Sequence, residues 1–66
     1  TGLSFKEFVI RHRINVSKNL LISTNDSITE IAENCGFSSP SYFAKMFLKY
    51  EGITPREYRA TMKNNI

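Results

Sequence analysis

One cysteine, no tryptophan, three glycines and two prolines in 66 residues exclude several kinds of protein at the outset. A lone Cys35 cannot close an internal disulfide, so no covalent staple supports the fold, and a reducing, intracellular setting is the simpler expectation. Cys35 itself reads as a small packed thiol. With His12 as the only histidine, neither a metal ligand set nor a nucleophile paired with a base can be assembled. Catalysis, a metal site and a bound cofactor are therefore not expected. No apolar run approaches the roughly 18 residues that cross a membrane, so a soluble chain without a membrane partner is expected. Missing too is any stretch in which β-branched and polar residues alternate, which argues against strands and for an all-α fold. The length allows one small domain, near the lower limit at which an apolar core holds alone.

Charge is present and one-sided. Nine Lys and Arg against six Asp and Glu give a formal +3, which favours a polyanionic partner. The chain opens on Thr1-Gly2 and not on Met, and Gly2 reads as punctuation closing something upstream. A longer parent protein is expected.

Helix starts are written plainly. Ser4-Phe5-Lys6-Glu7 is a capping box, and no Gly or Pro interrupts Phe5 to Ile22 before the turn chemistry of Ser23-Thr24-Asn25-Asp26. Ser27-Ile28-Thr29-Glu30 repeats the box and opens a helix of about two turns that runs to Cys35, with Gly36 free to take the left-handed closing conformation. Ser39 as N-cap with Pro40 in the first turn starts a third helix, which ends at Tyr50 or Glu51 before Gly52. Thr54-Pro55-Arg56-Glu57 is a third box, and its helix frays through Lys63-Asn64-Asn65.

The first helix carries two apolar stripes. Phe5, Phe8, Val9, His12 and Val16 share one side, while Ile10, Ile14, Ser17 and Leu21 share another, with Leu20 between. Three short helices can cover one side only. The Phe5/Phe8/Val9/His12 side should face something this chain lacks or a second copy of itself; one broad stripe over a thin core is the alternative.

A short helix, a glycine-containing turn and a second helix with a small polar tip form a helix-turn-helix pattern. Ile28, Ile31, Phe43 and Phe47 have the spacing of its packed seam, with Ala32 at the close approach. Ser38-Ser39-Pro40-Ser41 caps the second helix and leaves a slim, hydroxyl-bearing tip that fits a major groove about 12 Å wide. Ser41, Lys45 and Lys49 (or Leu48) follow at i, i+4 on the opposite face from the seam. Lys45 suits guanine O6 or N7, and Ser41 suits a base or a phosphate. Ser38, Ser39, Tyr42 and Lys49 are placed as phosphate contacts. The same pattern also describes a solvated helix face, because such motifs recur in proteins that never touch DNA.

SITEIAENCGFSSPSYFAKMFLKYEGITPREYR, Ser27 to Arg59, resembles the second helix-turn-helix of the AraC/XylS family of bacterial transcription regulators. TGLSFKEFVIRHRINVSKNLL resembles that family's long linker helix and the end of the motif before it. The resemblance spans essentially residues 1–66, and its Ile-Ala-x-x-x-Gly-Phe…Gly-x-Thr-Pro-x-x-Tyr-Arg pattern is specific. It implies a linker helix over 4–24, a second helix-turn-helix subdomain over 27–62 forming a homeodomain-like three-helix unit, and about four helices in all. It implies sequence-specific binding of double-stranded DNA in the bacterial cytoplasm at the nucleoid, with the helix of 39–51 in the major groove and Ser41 and Lys45 at base-facing positions. The uncovered Phe5/Phe8/Val9/His12 side would pack on a first helix-turn-helix subdomain. Pro40 and Ser41 depart from the family's longer polar residues, which implies modest base reading, and His12 stands where the family often has an aliphatic residue.

Arg56 has a phosphate-binding option near the start of the last helix. Arg11 and Arg13 flank the apolar stripe, where solvated surface charge is the commoner fate and a phosphate contact the other. Tyr58 reads as packing under the turn, and Met46 and Met62 as gap fillers. A protein-interaction module, using the Phe5/Phe8/Val9 side and leaving the DNA face idle, is the competing class.

Overall fold

A computed structural model of the chain describes residues 4–63, all of whose regular structure is helical. Four helices follow in order: α1 (Phe5–Ser23), α2 (Ile28–Asn34), α3 (Pro40–Glu51) and α4 (Pro55–Lys63). Gly2, Asn64 and Asn65, which entered the reading of the termini, lie outside the described residues.

Side-chain caps set the helix starts. Ser4, Ser27 and Thr54 each accept from the backbone N–H three residues on, at 3.1 Å, and Glu7, Glu30 and Glu57 return the bond to the cap's own N–H. Each such box satisfies two donors that the helix geometry leaves orphaned. Ser39 caps α3 from the Tyr42 N–H at 3.1 Å, and Pro40 opens the helix where its missing donor costs nothing.

The end of α2 fixes the turn. Gly36 sits at φ +87° and donates to the Glu33 carbonyl at 3.1 Å, and Phe37 donates to the Ala32 carbonyl at 3.0 Å. This paired closure is the Schellman motif, and it returns the next residue onto the helix it ends. Phe37 is consequently buried. Its ring lies 5.0 Å from that of Phe43 and 5.9 Å from that of Tyr42, centroid to centroid.

The core draws on every helix. Ile10, Ile14 and Leu21 of α1 meet Ile31, Ala32 and Cys35 at α2, and Phe43 and Phe47 of α3, with Ile28, Met46 and Tyr58 partly buried against them. Full burial of each large apolar side chain contributes roughly 1.5–3 kcal/mol. Tyr58 of α4 meets Phe47 edge-on at 5.5 Å. Ser17 is wholly buried in the apolar stripe, its hydroxyl satisfied by the Ile14 carbonyl at 2.6 Å. Burial pushes the Cys35 thiol above its ordinary pKa, which keeps it protonated and inert. Met62 does not fill a gap: it is 41% exposed, because it sits on the outer side of the last helix.

The two stripes of α1 part company. Ile10, Ile14, Ser17 and Leu21 are buried, whereas Phe5 is 83% exposed, Phe8 is 64% exposed, and Val16 and His12 also face outward. Val9 is half-buried. Nothing among the described residues covers that side.

Basic residues of α4 finish the far end of α1. Arg59 donates from Nε to the Leu21 carbonyl at 3.0 Å and from Nη2 to the Thr24 carbonyl at 3.3 Å. Lys63 Nζ reaches the Thr24 carbonyl and the Asn25 side-chain oxygen, both at 2.8 Å. The last turn of α1 has no cation of its own and its cap, Thr24, is extended, so the negative helix end is completed from 35 to 39 residues away.

The two left-handed glycines should respond differently to alanine. Both would incur the left-handed penalty of about 1–2 kcal/mol, but a Cβ at Gly36 would stand 3.2 Å from the Arg13 guanidinium, whereas one at Gly52 meets nothing within 4 Å. Urea unfolding should show Gly36→Ala losing more than Gly52→Ala, with the excess vanishing in an Arg13→Ala background. An equal loss at the two sites would contradict the packing at Gly36.

The boxes also set a pH dependence. The Ser27 N–H, and next the Ser27 hydroxyl, hold the Glu30 carboxyl below its ordinary pKa of 4.5, and Thr54 does the same for Glu57, with desolvation weakly opposed. A carboxyl depressed in the folded state stabilises above its unfolded pKa and loses that contribution as pH falls through the folded value. Thermal unfolding from about pH 5 to about pH 3 should therefore show a smaller stability loss in Glu30→Gln/Glu57→Gln than in the parent.

Candidate nucleic-acid interface

α3 separates its faces cleanly. Phe43 and Phe47 are buried, Tyr42, Met46 and Tyr50 are half-buried toward α1, and Ser41, Lys45, Leu48 and Lys49 are exposed. Helical spacing requires this: 43, 47 and 50 fall within one stripe, and 41, 45 and 48 lie on the other side. The Ser41/Lys45 face is free of the chain's own helices.

The tip before α3 divides its roles. Ser38 is exposed, while Ser39 is half-buried with its hydroxyl oxygen already accepting from Tyr42. Its hydroxyl proton remains free to donate outward. Tyr42 is half-buried with its ring against Phe37, so only its rim is available. Lys49 is exposed, its Nζ 5.4 Å from the Tyr50 ring centroid. Six of the seven residues predicted for the site thus gather on α3 and its entry. Arg56, exposed, stands apart on the first turn of α4, beyond the Gly52 turn.

The cations sort into two groups. Arg13, Lys18, Arg59 and Lys63 are occupied internally: Arg13 Nη1 donates to the Gly36 carbonyl at 3.1 Å, Lys18 pairs with Glu51 at 3.1 Å, and the other two cap α1. Lys6, Lys45, Lys49 and Arg56 have no hydrogen bond or ion pair to another described residue, and Arg11 rests on the Tyr50 ring at 5.7 Å. Arg13 was read as a solvated or phosphate-facing charge; it turns inward instead because the Gly36 carbonyl is left pointing at it. No local signal in the sequence marks that bond, which spans 23 residues.

Beside α3, a groove of about 330 Å³ is lined by Phe5, Lys6, Val9, Ile10, Arg13 and Tyr42. Its apolar wall continues the uncovered side of α1. No cluster of three or more His, Cys, Asp or Glu suited to a metal occurs among the described residues, and none of their helices is long and apolar enough to cross a membrane.

Comparison with known proteins now bears on this geometry. Residues 1–61 match the family described as "Helix-turn-helix domain". The chain belongs to the AraC/XylS family of helix-turn-helix regulators. Among its relatives is the uncharacterized HTH-type transcriptional regulator YisR of Bacillus subtilis, 40% identical over 65 residues, which are 98% of this chain and 23% of YisR. The DNA-binding domain of AdpA, solved in complex with a target DNA, superposes with a TM-score of 0.94 at 31% identity over 98% of this chain and 59% of that one. The C-terminal domain of the response regulator yesN from Fusobacterium nucleatum gives 0.84 at 40% identity, over 88% and 56% of the two chains. The chain thus spans less than a quarter of YisR and somewhat over half of the two solved domains.

The two serines of the tip should separate in an unfolding measurement. Ser39→Ala removes the α3 cap and should lose about 1 kcal/mol, whereas Ser41→Ala, exposed and without a bond in the fold, should stay within about 0.5 kcal/mol. A loss at Ser41 as large as that at Ser39 would contradict the assignment of its hydroxyl to the outward face.

Proposed function

We propose that this chain is the DNA-reading end of a bacterial transcription regulator, with α3 lying in the major groove. Lys45 donates to guanine and Ser41 to a neighbouring base or phosphate, while Ser38, Ser39, Tyr42, Lys49 and Arg56 hold the sugar-phosphate backbone. The observation that carries this reading is the exposed Ser41/Lys45 face, whose cation is unspent beside four cations consumed inside the fold. The likeness to AdpA, whose domain was solved with its target DNA, supports it.

On this reading α1 is the linker helix (4–24) and 27–62 the second of two helix-turn-helix subdomains. The exposed Phe5, Phe8, Val9 and His12 side then packs on a first subdomain, or on a second copy of the chain, which supplies the apolar cover that the described residues do not. The cytoplasm, at the nucleoid, is where such a regulator works.

A single subdomain makes few phosphate contacts, so binding should be weak and steeply salt-dependent. In a mobility-shift titration, Lys45→Ala should cost roughly 1–3 kcal/mol at one base position. Lys49→Ala should weaken all sequences alike. An unchanged sequence preference in Lys45→Ala would remove that residue from base reading, and an absence of salt-sensitive binding by the parent would favour a protein-interaction module.

A further inference from the structure

Two cations from different elements converge on one aromatic ring. The Arg11 guanidinium carbon, reaching across from α1, lies 5.7 Å from the Tyr50 ring centroid, and Lys49 Nζ of α3 lies 5.4 Å from it. Both side chains belong to exposed residues, and neither has a carboxylate partner among those described. The acids that approach them along the chain are engaged elsewhere. Glu7, one turn before Arg11, accepts from the Ser4 N–H, and Glu51 pairs with Lys18 at 3.1 Å.

Two like charges held within 6 Å of the same ring repel each other. The electron-rich ring face offsets part of that repulsion. An anion within reach of both cations would offset more, and the pair suits a phosphodiester: Arg11 offers a planar fork, and Lys49 a compact point charge. Tyr50 is half-buried against the core, so the ring that both cations approach is held in place. Lys49 follows Lys45 by one helical turn, which puts this pair at the opposite end of α3 from the Ser38–Ser41 tip.

We propose that Arg11, Lys49 and the Tyr50 ring form a phosphodiester clamp at the junction of α1 and α3, so that the long helix grips the DNA backbone together with the recognition helix. The clamp rests on the reading of the chain as a DNA-binding unit. It gives α1 a direct role at the nucleic acid besides that of a connecting strut.

The test is a fluorescence-anisotropy titration of the chain against a labelled random-sequence duplex at several salt concentrations, comparing the parent with Arg11→Gln, Arg11→Lys and Lys49→Gln. Each phosphate contact contributes about 0.9 to the slope of log affinity against log salt. Arg11→Gln should lower the slope by about that much, Arg11→Lys should keep it, and Lys49→Gln should match Arg11→Gln. Melting curves followed by circular dichroism should be unchanged in Arg11→Gln, since the side chain is exposed. A parental slope in a folded Arg11→Gln, including the case in which that surface serves an acidic protein, overturns the clamp and leaves DNA binding standing. No salt-sensitive binding by the parent overturns the DNA reading, and the clamp with it.

Discussion

The orientation of α3 depends on the closure of α2 at Gly36. A left-handed residue there lets two backbone bonds finish α2 while turning Phe37 back into the core, so the chain enters α3 at a fixed angle. Arg13 holds the outside of that turn through the Gly36 carbonyl. Glycine is favoured there for its positive φ, and a Cβ would in addition crowd the Arg13 guanidinium at 3.2 Å. The turn is thus pinned from within by an aromatic ring and from without by a charge on α1.

From that anchor, the chain's positive charge divides by task. Arg13, Arg59 and Lys63 meet backbone carbonyls left over at helix ends and turns, where a cation replaces the hydration those oxygens lose on folding. Lys18 meets a carboxylate. Among the described residues, Arg11, Lys45 and Lys49 meet neither carboxylate nor carbonyl, only solvent or a ring. A net charge of +3 on a small domain does not by itself indicate a ligand. Which cations are spent on the fold is the informative quantity, and it supports the proposal that the outward face of α3 and its flank meet the ligand.

Much of this was legible because it is local. Ser4, Ser27, Ser39 and Thr54 announce helix starts by a bond three residues long, and Gly36 and Gly52 announce ends by a conformation other residues avoid. The two-stripe pattern of α1 was legible for the same reason, since helical period alone separates Ile10 and Ile14 from Phe5 and Phe8. What escaped was long-range. Arg59 and Lys63 look like surface charge on a short amphipathic helix until the fold brings them to the end of α1, and Arg13 looks solvated until the turn presents its carbonyl. One clue was present: α1 ends without a glycine or a cation in its last turn, which leaves carbonyls in need of donors. Phe37 was also within reach, because the residue after a closing glycine commonly packs back on the helix.

The face that α3 presents decides between a unit that grips DNA and one that binds protein through α1. Amide chemical shifts of the nitrogen-15-labelled chain, followed while a random-sequence duplex is added at low salt, report that face residue by residue. Shifts gathered at Ser38 to Lys49 and around Arg11, with Phe5 and Phe8 unmoved, are the predicted result. Shifts confined to the Phe5/Phe8/His12 side, with α3 silent, would contradict it.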